Sequence, residues 1–124
     1  MKQHATPVVK RADSVESSEV RAGSATRSQV LLGPADGAPN FALRRFRMEA
    51  GGGMPTHTNT VEHEQFVLRG RAEVRLGDAR HVVEAGSVLF IPAGLPHAYH
   101  VLEAPFEFLC IVPNAEDRIE ILGD

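Results

Sequence analysis

The sequence predicts an all-β domain, a sandwich or barrel of short antiparallel strands, and three observations carry that expectation. Eleven glycines and eight prolines punctuate the chain and divide it into apolar runs at close, fairly even spacing. Several runs alternate with period two, for example Ala72, Val74 and Leu76 against Glu73 and Arg75, as strands with one face in a core do. Between two such runs, Leu76-Gly77-Asp78-Ala79-Arg80 holds a Gly-Asp pair of the kind that closes a two-residue hairpin, so its flanks should pair antiparallel.

Taken in chain order, residues 1–28 are rich in Ser, Ala and charge, with Val8, Val9, Val15 and Val20 as their apolar anchors. They are expected to form most of an arm, 1–30, with a frayed start and one peripheral strand, ahead of a barrel domain at 31–124. The runs SQVLL and FALRRFRM follow. The Gly51-Gly52-Gly53 stretch lacks the Lys-Ser/Thr of a phosphate loop and is expected to be a flexible turn between two strands. QFVLR, AEVRL, HVVEA, SVLFI, AYHVL, FEFLCIV and DRIEIL supply the remaining strands. In FEFLCIV, Phe106, Phe108, Cys110 and Val112 form one phase and Glu107, Leu109 and Ile111 the other, which is also mostly apolar, so this strand should lie in the interior or at an interface.

Composition excludes several function classes. A chain of 124 residues, 43% of them hydrophobic, fits one ordinary core. A formal charge of -3 and a pI near 6.1 give no general basic field, and Arg44, Arg45 and Arg47 form the one tight basic cluster, so nucleic acid is not an expected partner. The single cysteine, Cys110, cannot close an intrachain disulfide, and the first residues lack the apolar core of a secretory signal. With no apolar run near the ~20 residues that span a bilayer, a soluble cytoplasmic protein is expected.

Six histidines are present, and three of them share a pattern. His57 and Asn59 are two apart and point the same way in an extended chain, and His63 opens the next run on the same odd-numbered phase. His97 follows GSVLFIPAGLP, where Pro92, Gly94 and Pro96 force a turn and present the next side chain at a strand start. Four potential donors could then converge from two adjacent turns.

These residues carry a family resemblance. The stretch from Gly51 through His57, Asn59 and His63 to Gly70, with Gly86, Pro92, Gly94 and His97, resembles the two signature motifs of the cupin superfamily across most of residues 40–113. The first family motif reads glycine, five residues, His-x-His, three or four residues, Glu, six residues, glycine. Five residues separate Gly51 from His57, Asn59 replaces the second histidine, and the acidic position falls on either His63 or Glu64. Six residues separate His63 from Gly70 and only five separate Glu64 from it, which assigns His63 to the ligand place and turns Glu64 outward. In the second motif only the final Asn is missing, replaced by Val101.

The resemblance implies a double-stranded β-helix, the jelly-roll cupin barrel, with His57, His63 and His97 as ligands of a divalent transition metal and Asn59 as a weak fourth ligand or a hydrogen-bond partner. Imidazoles suit Fe, Zn, Cu, Ni or Mn rather than Mg or Ca. With no carboxylate among the ligands, the ion would keep its full charge and favour a small anionic or chelating substrate. A barrel that has lost its metal is the plainer alternative. Tyr99 and Gln65 share the inward phase and could orient a substrate, unless the tyrosine only closes the core. Arg44 alternates with Phe46 and Met48, so it either enters the cavity to pair with a substrate carboxylate or stays at a solvated edge or dimer contact. His81 and His100 fall on outward phases, and Cys110 reads as a buried small hydrophobe. The expected function is a metal-dependent enzyme, dioxygenase-type oxidoreductase before isomerase or lyase, with a non-catalytic ligand-binding barrel as the other class. A homodimer is expected from the two-sided strand near residues 106–112 and from the arm.

Overall fold

The computed structural model describes residues 6–123; the expected fraying of the chain start falls on residues 1–5, outside them. Eight strands follow in order: β1 (Ser18–Glu19), β2 (Ser24–Leu32), β3 (Phe41–Asn59), β4 (His63–Leu76), β5 (Ala79–Glu84), β6 (Val88–Ile91), β7 (His97–Pro113) and β8 (Ile119–Gly123). All pairings are antiparallel. The all-β expectation therefore holds. The arm joins the sheet from Ser18 onward, because β1 pairs with β2, which runs through residue 30 and pairs with β3.

Three strands are much longer than the sequence runs suggest, and this corrects the picture of many short ones. QFVLR and AEVRL are two halves of β4, and AYHVL and FEFLCIV are two halves of β7. Each long strand bends and serves both layers. One layer is β2, residues 41–48 of β3, residues 106–113 of β7, residues 64–69 of β4, and β6. The other is β8, residues 53–59 of β3, residues 97–101 of β7, residues 71–76 of β4, and β5. The result is the double-stranded β-helix that the family resemblance implies.

The bends of β3 and β4 sit at glycines, whereas β7 contains none. The Gly51–Gly53 stretch is not a turn between two strands; it lies within β3, where the register with β7 shifts between Met48 and Gly53. At Gly53, φ is +154° and an added Cβ would lie 2.1 Å from the Tyr99 carbonyl oxygen. At Gly70, φ is +80° and a Cβ would lie 2.2 Å from the Pro105 carbonyl oxygen. At both points the backbone of a neighbouring strand occupies the space of a side chain, so only glycine fits. The Gly77-Asp78 hairpin forms as expected, with Leu76 opposite Ala79.

The core lies between the layers. Met48, Val67, Ala72, Val74, Phe106, Phe108 and Cys110 are each at most 2% exposed. Phe46, Phe108 and Tyr99 stack almost parallel, with centroids 5.1 and 5.4 Å apart, and tie one layer to the other. On the opposite face of β7, Glu107 is buried under three guanidinium groups, Arg45 at 2.7 Å, Arg69 at 3.6 Å and Arg47 at 3.7 Å. Around it the outer face is apolar and open: Phe66, Val88, Phe90 and Ile111 are 42 to 73% exposed.

Gly70→Ala and Gly86→Ala separate backbone strain from steric exclusion. Both glycines have positive φ, but a Cβ on Gly86 meets nothing within 4 Å. Gly86→Ala should cost about 1 kcal/mol in chemical denaturation, the backbone contribution alone, whereas Gly70→Ala should lose several times that or fail to fold. Equal losses would mean that the close approach at Gly70 is easily relieved.

Candidate metal centre

One end of the barrel collects the predicted donors. His57 and Asn59 lie at the end of β3, His63 opens β4 and His97 opens β7. Register places His57 opposite His97, and His63 opposite Ile91. The turn before β7 is docked onto this end, because the Gly94 amide donates to the Asn59 carbonyl at 2.8 Å and the Gly77 amide donates to the Pro96 carbonyl at 2.8 Å. His97 is thereby held at a strand start, as the Pro-Gly-Pro spacing predicts.

All four side chains are buried, with exposures of 4% for His57, 5% for Asn59, 7% for His63 and 1% for His97. The His97 ring lies 4.1 Å from the His57 ring and 6.0 Å from the His63 ring, centroid to centroid. His57 donates from Nδ1 to the Pro55 carbonyl at 2.7 Å, and His97 donates from Nδ1 to the Leu95 carbonyl at 2.8 Å. A carbonyl only accepts, so in both rings Nδ1 carries the proton and Nε2 keeps its lone pair. Burial lowers the pKa of all three imidazoles, those of His63 and His97 to about 4. Near neutral pH they are uncharged, which is the form that binds a metal.

Among the described residues, no three His, Cys, Asp or Glu side chains already stand at metal-holding distances. The fit to an ion is instead visible in what lacks a partner. Among the described residues, the buried atoms His63 Nε2, His97 Nε2 and Asn59 Oδ1 have no hydrogen-bond partner. Leaving such atoms unpaired is costly, and a cation suits all three.

The cavity behind them, about 150 Å³, is lined by Arg44, Phe46, Met48, Gln65, Tyr99 and Phe108 among others. Arg44 enters the cavity rather than lying at an edge. Its guanidinium stands 5.0 Å from the Phe46 ring centroid and 3.3 Å from Cys110 Sγ, and its buried Nε has no partner. Tyr99 and Gln65 satisfy each other: the hydroxyl accepts from Gln65 Nε2 at 2.7 Å and donates to Oε1 at 3.0 Å. Burial raises the pKa of both Tyr99 and Cys110, so each stays protonated near neutral pH and can donate but not act as a base. His81 and His100 are exposed, and Glu64 stands in the outer register opposite Phe90 and Ile111, both as expected.

Sequence reasoning misses three contributors. Val20 and Ser28 reach the cavity from the arm, and Asp117 reaches Asn59 from the segment before β8. Asp117 lies 58 residues beyond Asn59 in the chain, and no local spacing marks the contact.

Comparisons agree with this architecture. The structure superposes on the polyketide cyclase RemF from Streptomyces resistomycificus with a TM-score of 0.83, 29% identity, and coverage of 93% of this chain and 86% of that one. A cupin 2 domain-containing protein from Halorhodospira halophila is 34% identical with a TM-score of 0.71, covering 76% and 67% of the two chains. An uncharacterised protein of Streptomyces coelicolor is 26% identical over 77 residues, 62% of this chain and 73% of its own. The sequence model of the cupin domain matches residues 44–112, more than half of the chain. Fold, spacing and this match agree that the chain belongs to the cupin domain family, as a small barrel of the cupin 2 type.

Proposed function

We propose that the protein is a metal-dependent enzyme acting on a small anionic, chelating substrate, with a divalent transition ion held by His57, His63, His97 and the Asn59 amide oxygen. The observation that carries this reading is the cluster of buried, unpartnered polar atoms of His63, His97 and Asn59 in one cavity. A bound ion would supply Lewis acidity toward a substrate oxygen. The chain's own residues do the rest. Arg44, which has no carboxylate partner among the described residues, offers a charge-assisted bond to an anionic group. The flat stack of Phe46, Phe108 and Tyr99 seats an unsaturated or aromatic body. The Tyr99–Gln65 pair can re-aim one hydrogen bond at a substrate oxygen.

Cyclisation is the reaction class we favour, because a polyketide cyclase is similar over 93% of this chain. Oxygen-dependent chemistry, the first expectation from sequence, is the second reading, and the all-imidazole set supports it because those ligands also suit Fe. We also propose a homodimer. Its basis is the open apolar face of Phe66, Val88, Phe90 and Ile111, which a second copy would cover.

Four measurements test these readings. Purified protein should retain a stoichiometric transition metal, and His63→Ala and His97→Ala should each reduce retention at least tenfold. Oxygen consumption on 1,3-dicarbonyl or phenolic substrates would favour the second reading over cyclisation, and wild-type protein that binds no metal would remove both. For the metal-free protein, pH should matter between the imidazoles' ordinary pKa near 6.5 and their folded value near 4. In that window the unfolded chain holds protons that the folded protein does not, so stability is full above about 6.5 and is lost as pH falls toward 4. The loss is roughly 1.4 kcal/mol per pH unit for each imidazole, and the His63→Gln/His97→Gln variant should flatten the slope in urea titrations. Light scattering should give twice the chain mass, and Phe66→Glu/Phe90→Glu should halve it; a monomeric wild type would refute the dimer.

A further inference from the structure

We infer that Asp117 is the carboxylate of this centre, acting through Asn59: it fixes the amide so that Oδ1 faces the imidazoles, and it couples the C-terminal strand to occupancy of the cavity. The inference rests on the metal reading above.

Asn59 Nδ2 donates to Asp117 Oδ2 at 2.9 Å, and the Thr60 amide donates to Asp117 Oδ1 at 2.9 Å. An ionised carboxylate only accepts, so the NH2 end of Asn59 is the end that faces it. Oδ1 is then turned to the other side, where it is buried without a partner in the wall shared with His57, His63 and His97. Donation to a charged acceptor shifts electron density onto the amide oxygen, which makes a neutral and otherwise weak donor a better one. The negative charge missing from the acid position of the first motif, where His63 stands, is thus present just outside the donor set, supplied from a different segment.

The same carboxylate anchors the segment that closes the cavity. Thr60 Oγ1 accepts from the Arg118 amide at 2.8 Å and donates to the Glu116 carbonyl at 3.2 Å. From there β8 pairs with the end of β3, Ile119 opposite Asn59 and Ile121 opposite His57, and Ile119 lines the cavity. Because one side chain holds both the Asn59 amide and the start of β8, an ion that takes up Oδ1 also steadies the strand.

The test uses Zn²⁺ affinity by competition calorimetry, the visible spectrum of the Co²⁺ form, and hydrogen exchange of residues 119–123 with and without Zn²⁺. Asp117→Ala should weaken Zn²⁺ binding ~10–100-fold. Asn59→Ala should do the same, and the double variant should be no weaker than Asn59→Ala alone. The Co²⁺ spectra of the two single variants should match each other and differ from wild type. Zn²⁺ should slow exchange of 119–123 in the wild type and not in Asp117→Ala. Asp117→Asn, which keeps an acceptor oxygen but no charge, should fall between, and it carries the affinity test if the alanine variant does not fold. Wild-type affinity in both Asp117 variants, additive losses, or equal Zn²⁺ protection of 119–123 would overturn this inference alone. A wild type that takes up no Zn²⁺ would overturn the metal reading and this inference with it.

Discussion

The structure depends on two places where strands pass so closely that no side chain fits between them. At Gly53 and at Gly70 a Cβ would lie about 2 Å from a carbonyl oxygen of β7. Those contacts let β3 and β4 bend while staying paired with β7, so that each strand serves both layers. The bends also fix where each strand ends. Once they are in place, the last residues of β3 and the first residues of β4 and β7 meet at one end of the barrel. His57, Asn59, His63 and His97 are therefore neighbours because of backbone geometry some distance from any of them.

Register then sorts charge. On β7 the inner phase carries Phe106, Phe108 and Cys110, and the outer phase carries Glu107 beneath Arg45, Arg47 and Arg69. A slip of one residue would bring the carboxylate into the cavity and turn two phenylalanines to solvent, so the register is strongly specified. Among the described residues, the outcome is a cavity with neutral imidazoles, one guanidinium lacking a carboxylate partner, and a carboxylate behind Asn59. Burial, more than any neighbouring charge, keeps the imidazoles neutral. An anion entering this space meets complementary charge without displacing an internal ion pair.

Much of this was legible in the residues. Alternation identified the inward phase of β4 and β7 correctly, including Gln65, Tyr99, Phe108 and Cys110. Counting back from Gly70 put His63 inside and Glu64 outside, and the structure agrees because Gly70 marks the bend from which the phase of β4 is reckoned. The Gly51–Gly53 run was misread as a turn because the same conformational freedom serves a turn and a bulge, and only the pairing partner distinguishes them. The division of β4 at Gly70 failed for the same reason, and that of β7 failed because Glu103-Ala104-Pro105 lies inside a continuous strand.

The sequence by itself determined the strand periodicity, the glycines that permit the bends and the alignment of three histidines on one phase, since these depend on near neighbours along the chain. Tertiary structure alone decided that Arg44 turns into the cavity, that Tyr99 and Gln65 satisfy each other across 34 residues, and that Asp117 holds Asn59 across 58. Those contacts join segments whose spacing in sequence carries no period. They exist only after β7 has paired with both long strands and the strand after Asp117 has closed over the end of β3.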